Sequence, residues 1–153
     1  MRNLLLVLLL SIPALALPTP QQVVSKIYHA HLKTQDMRKT VAELPRSFSP
    51  EFLDILQRAL ARPGVDFDIF THGQGKMSDF FVDDTVTQSK DAQVHVKVWM
   101  GERIGQQSGL AQDVTLYLTN NDDGRGFQVY DIQFPGKPRF KVRDFLTPIA
   151  EGR

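Results

Sequence analysis

Apolar residues recur along this chain with two periods, and the change from one to the other divides it. Val23, Val24, Ile27, Tyr28 and His31 fall at helical spacing and make one stripe. Thr19 followed by Pro20 offers an N-cap with proline in the first turn, so a first helix is expected, ending near Lys33-Thr34. Asp36 caps a short second helix over Met37 to Leu44, stopped by Pro45. Ser49-Pro50-Glu51 opens a third helix: serine caps, proline suits the first turn and glutamate complements the dipole. Its buried face is Phe52, Leu53, Ile55, Leu56 and Leu60, Phe48 packs back as a staple, and Pro63-Gly64 ends it.

A long connection, Val65 to Ser78, separates these helices from a period of two. Phe81 to Ser89 is a first strand. Gln93 to Trp99 is the clearest, with Val94, Val96 and Val98 on one face and Gln93, His95, Lys97 and Trp99 on the other. Asp113 to Thr119 repeats it, with Val114, Leu116 and Leu118 opposite Thr115, Tyr117 and Thr119. Asn120 to Gly126 reads as a hairpin turn into a closing strand. Lys141 to Ile149 is a tail expected to form a short strand or turn anchored by Phe145-Leu146. Helices first and antiparallel strands after give an α+β fold, with three N-terminal helices packed on a curved antiparallel sheet of about four strands.

The closing strand slips phase. Phe127 and Val129 alternate with Gln128, but then Tyr130, Ile132 and Phe134 carry the apolar beat, and Asp131 stands where an apolar residue is due. A β-bulge produces such a slip and helps a sheet curve. Asp131 is then expected to meet solvent or a backbone amide.

Before the first helix, Met1-Arg2-Asn3 precedes a short apolar run, Pro13, and the small-residue tripeptide Ala14-Leu15-Ala16. These are the marks of a secretory signal peptide over residues 1–16, and the run is too short for a membrane anchor. Residues 17–153 then make one domain, periplasmic or secreted, without stable membrane insertion after cleavage. The chain has no cysteine, so that domain rests on its core rather than on disulfides. Basic and acidic residues nearly balance, and no Lys/Arg block stands out, which argues against nucleic acid as a partner.

Gln21-Gln22-Val23-Val24-Ser25-Lys26-Ile27-Tyr28 at the start and Gly126-Phe127-Gln128-Val129-Tyr130-Asp131-Ile132 near the end resemble the nuclear transport factor 2-like (cystatin-like) superfamily. More narrowly, they are similar to secreted bacterial domains of unknown function within it. Ser49-Pro50-Glu51-Phe52-Leu53 and Asp66-Phe67-Asp68 resemble that group too; Phe127 departs from it where tryptophan is common. The resemblance implies a helix-lined cone whose open end takes ligands in related proteins. Its members include isomerases, dehydratases, binding modules and immunity proteins, so the fold alone does not select a function.

In ketosteroid isomerase-like members, an aspartate base works with a tyrosine and a second acid in an apolar pocket. The residues to test for such chemistry here are Asp131, Tyr130, Tyr28 and His31. Neighbours on a regular strand diverge, so Tyr130 and Asp131 enter one cone together only if the strand bulges. His29 and His31, two apart on a helix, cannot share an ion, and no thiolates or clustered imidazoles suggest a metal site. The Asn121-Asp122-Asp123-Gly124 segment fails the calcium-loop pattern, and no serine sits in a nucleophile elbow. No cofactor is expected.

Trp99 and Tyr117, with His95 and Lys97, fall opposite the Val/Leu beat, where neighbouring aromatics suit a protein partner or a second copy of the chain. The expected function is a non-enzymatic exported binding domain for a protein, immunity-type proteins included, or for a small ligand in the cone. The alternative is a small cofactor-independent isomerase or lyase.

Overall fold

The computed structural model describes residues 16–101, 111–121 and 123–153. The leader read as a signal peptide lies outside them except for Ala16, as does Asp122 of the expected hairpin turn.

Helix α1 spans Pro20–Thr34. Thr19 and Gln22 cap its start reciprocally: the Thr19 hydroxyl accepts from the Gln22 amide, and the Gln22 side chain accepts from the Thr19 amide at 2.8 Å. Gln35 ends it in the left-handed conformation, φ 51°. Its side chain then reaches the first strand, donating to the Met77 carbonyl and accepting from the Met77 amide. Helix α2, Met37–Glu43, carries the expected Asp36 cap, and a 3-10 turn, Pro45–Ser47, follows. Helix α3, Pro50–Leu60, starts at the Ser49 cap and buries Phe52, Ile55, Leu56 and Leu60. Phe48 packs against Phe52, ring centroids 6.4 Å apart, and also bridges to Val129.

Five antiparallel strands form one sheet in sequence order: β1 Met77–Gln88, β2 Asp91–Met100, β3 Ala111–Asn120, β4 Phe127–Phe134 and β5 Phe140–Lys141. The architecture is α+β, with α1–α3 ahead of the sheet. Val94, Val96 and Val98 of β2 and Val114, Leu116 and Leu118 of β3 are buried on the face that meets the helices. Tyr28, Phe48, Phe52, Phe70 and Phe134 fill the space between the layers.

The tail differs from the expected strand or turn. Only Phe140–Lys141 extends the sheet, and Val142–Glu151 is a fourth helix, α4, which packs on α3 and β4. Val142, Leu146 and Ala150 are its buried stripe. Pro148 lies inside it, and Lys141 gives it no side-chain cap. The cap comes from β4, where Asp131 accepts a hydrogen bond from the Arg143 amide at 3.0 Å.

Candidate functional site

The period-two pattern places the polar beat of β2 and β3 on the sheet face turned away from the helices. Direct cross-strand partners share a face. Trp99 pairs with Asp79 and Ala111, Lys97 with Phe81 and Asp113, His95 with Thr115, and Gln93 with Val86 and Tyr117. Thr115 pairs onward with Gln133, which pairs with Lys141. Two large apolar residues of this outward face are strongly exposed, Phe81 at 56% and Val86 at 53%. The four residues singled out in the sequence are thus on one surface. Trp99 and Tyr117, expected to be neighbours, are not: Tyr117 faces Gln93, six residues along β2 from Trp99, or about 20 Å at the usual rise. The ring near Tyr117 is Tyr130, with centroids 6.2 Å apart, and the exposed ring near Trp99 is that of Phe81, one pair away.

Between these patches lies a cavity of about 320 Å³ lined by Gln93, His95, Asp113, Thr115, Tyr117, Gln133, Pro135 and Arg139. Its floor is hydrogen-bonded. His95 Nδ1 lies 3.1 Å from the Thr115 hydroxyl, and the Tyr117 hydroxyl donates to Gln133 Oε1 at 3.1 Å. Lys97 leans toward Asp83, 3.9 Å away, rather than toward its cross-strand partner Asp113.

The bulge falls on the residues where the sequence slips phase. Tyr117 faces Asp131 and Leu118 faces Val129, so Tyr130 is the extra residue. Val129 and Ile132 both point inward, while Tyr130 and Asp131 share the opposite side. The bulge thus brings the two together, but on the sheet face turned away from the helices. Asp131 is buried there, with Oδ1 accepting from its neighbour Ile132 and from Arg143 at the start of α4. Burial raises its carboxyl pKa above the ordinary value, and those two backbone hydrogen bonds together with the nearby Lys141 charge oppose the rise. Tyr130 lines a second cavity, about 420 Å³, with Glu51, Asp91 and Arg143 among its walls. Its hydroxyl is also raised, first by burial and then by the Asp91 and Asp131 charges.

Tyr28 and His31 lie one turn apart on α1, inside the core. The Tyr28 hydroxyl donates to the Phe70 carbonyl at 2.9 Å, and burial holds its pKa well above the ordinary value. His31, 2% exposed, sits between Asp68 and Thr40: Nε2 is 3.0 Å from Asp68 Oδ2, and Nδ1 is 3.2 Å from the Thr40 hydroxyl. The Nε2 contact is attractive only if that nitrogen carries a proton. Asp68 Oδ1 accepts from the Phe70 amide at 2.8 Å, so both oxygens are engaged. Asp68 also lines a cavity of about 390 Å³ beneath the 65–76 loop.

The four residues to test for catalysis are therefore not gathered. Tyr28 and His31 are tied into the core, and Asp131 faces the start of α4. Tyr130 opens onto a separate cavity. Among the described residues, no three His, Cys, Asp or Glu side chains could hold one metal ion, and no helix is long and apolar enough to cross a membrane. The sequence pattern did not single out Gln133, Arg139 or Phe81, nor Asp68 as the partner of His31. Gln133 was legible in principle, as the first polar residue once regular alternation resumes after the slip. Comparison with family models, with curated proteins and with solved structures finds no match.

Proposed function

We propose that this domain is an exported, non-enzymatic binding module whose working surface is the outward face of the sheet. The observation that carries the reading is a contrast between the two faces. The inward face is closed by fully buried side chains such as Tyr28, Phe70 and Phe134, whereas the outward face exposes Phe81 beside Lys97 and half-buried Trp99. An exposed aromatic beside a long cationic stem is the kind of anchor a protein partner covers. The helices-first order, the curved sheet and the bulged closing strand support the resemblance to the nuclear transport factor 2-like superfamily. Export is the reading of the leader.

The test is site-specific photo-crosslinking. A benzophenone side chain at Trp99 or Phe81, in the mature protein exposed to extract of its own compartment, is expected to capture a partner or a second copy. The same group at His29, on the exposed face of α1, is not. Trp99→Ala with Phe81→Ala should weaken capture by about tenfold, the loss of one good anchor. Equal capture from all three positions would refute the assignment of the surface.

A further inference from the structure

We propose that the cavity over β2–β4 binds a small zwitterion of the amino-acid type, its carboxylate held by Arg139 and Gln133 and its ammonium by Asp113. This rests on reading the outward sheet face as the working surface.

Gln133 provides the first observation. It is 8% exposed and lines the cavity, yet only its oxygen is engaged, by the Tyr117 hydroxyl. That bond fixes the orientation of the amide: the oxygen faces Tyr117, so the Nε2 donors are directed elsewhere. Nε2 has no partner among the described residues and is not one of the sealed polar atoms, so it opens toward the cavity. A nearly buried amide with two unused donors is costly unless water or a ligand acceptor meets it.

The charges provide the second. Asp113 and Arg139 line the same cavity, and neither makes an ion pair among the described residues. The register explains why. Thr115 faces Gln133 and Gln133 faces Lys141, so the same register carried one step past the ends of β4 and β5 puts Asp113, Pro135 and Arg139 in the next outward row. Two strand spacings hold the opposite charges about 10 Å apart at the backbone. Lys97, which could have neutralised Asp113, leans to Asp83 instead. A carboxylate alone would meet Asp113, and an ammonium alone would meet Arg139. A molecule bearing both satisfies both, and it offers acceptors to Gln133 Nε2. His95 and Tyr117, already bonded to Thr115 and Gln133, form a neutral polar floor. The volume of about 320 Å³ lies at the small end of ligand sites.

The experiment screens the common amino acids singly at about 10 mM by thermal shift, a concentration that registers millimolar affinity, followed by calorimetry on those that stabilise. Acetate, methylammonium and inorganic phosphate are run beside them. At least one amino acid is expected to bind, with acetate and methylammonium each weaker by about tenfold or more, as the loss of one charged contact requires. Arg139→Gln and Asp113→Asn should each weaken the amino acid by about tenfold, and only Arg139→Gln should weaken acetate. Both residues are exposed, so the variants should keep the wild-type unfolding midpoint. No stabilisation by any amino acid would overturn the assignment. So would affinity indifferent to both substitutions, or phosphate binding as tightly as the amino acid. Failure of crosslinking at Trp99 and Phe81 with amino-acid binding intact would sink the protein-partner surface alone; the reverse pattern would sink this site alone.

Discussion

The buried contact between His31 and Asp68 is the sharpest place to test how the long loop after α3 is held. His31 is 2% exposed and Asp68 18%, and their contact is 3.0 Å. Removing one partner of a buried hydrogen-bonded pair leaves the other desolvated and alone, a loss of about 1–3 kcal/mol. Asp68 is a carboxylate that keeps some access to water, so His31→Ala is expected to cost about 2–3 kcal/mol. Asp68→Ala loses the same contact and also the acceptor for the Phe70 amide, adding about 1 kcal/mol. The double variant should cost less than the sum, with a coupling of about 1.5–3 kcal/mol. Urea unfolding at neutral pH, followed by the single tryptophan, Trp99, supplies the free energies. The exposed Asp54–Arg58 pair of α3, at 2.7 Å, is the control, and its coupling should stay below about 0.5 kcal/mol. Amide exchange at Phe70, Thr71 and His72 should quicken in either single variant, because Asp68 and Tyr28 anchor that loop to α1. A His31–Asp68 coupling no larger than the control would refute the idea that this pair fastens the loop.

Asp131→Ala should uncap α4 and cost about 1–2 kcal/mol, with faster amide exchange at Arg143 as its local signature. The carboxyl of Asp131 is raised in the folded state, chiefly by burial, so the native protein holds this proton at pH values where the unfolded chain has released it. Its contribution is therefore fully present below the ordinary carboxylate value and is lost as pH rises through the folded value. Relative to Asp131→Asn, the wild type should lose stability as pH is raised from about 4 upward; urea midpoints that diverge in the opposite direction would contradict this. Tyr28→Phe keeps the ring contacts with Phe70 and Phe80 but leaves the buried Phe70 carbonyl without its donor, a cost of about 1–2 kcal/mol readable by the same titration.

Local signals made much of this fold legible. Thr19, Asp36 and Ser49 cap the helices they precede, and strict alternation sets the two faces of β2 and β3, because each signal acts within a few residues of the structure it specifies. Where the determinant is distant, the reading stops. The local signals for α4 are weak: Asp144 suits its first turn and Gly152 its end, but no side chain caps its start and Pro148 argues against a helix. Asp131, on another element, supplies the missing acceptor. His31 likewise read as the edge of an apolar stripe, since its partner Asp68 sits in an irregular loop with no periodicity to orient it. The outward face was read as a surface, but its division into an apolar end and a polar cavity depends on how β2, β3, β4 and β5 align. No single strand carries that register.

The bulge at Tyr130 gives that dependence a direct trial. If Tyr130 is an inserted residue, removing it leaves Val129, Asp131 and Ile132 in regular alternation, with the apolar pair inward and the aspartate still outward. Deleting Tyr130 should then cost only the ring's packing on Tyr117 and some of the local curvature, about 1–2 kcal/mol. Deleting Gln133, three positions on in the regular part of β4, has a different consequence. It moves Phe134, now 1% exposed, onto the outward face, forfeiting a buried ring worth about 3–5 kcal/mol. The two deletions remove the same length of chain from the same strand, so loop shortening and chain entropy cancel between them. A urea midpoint for the Tyr130 deletion as low as that for the Gln133 deletion would mean that Tyr130 is not an insertion, and that the outward position of Asp131 has another cause. The expected order, with α4 still capped in the Tyr130 deletion by Arg143 exchange, would tie one extra residue in β4 both to the curvature of the sheet and to the clearance of Asp131 from the interior.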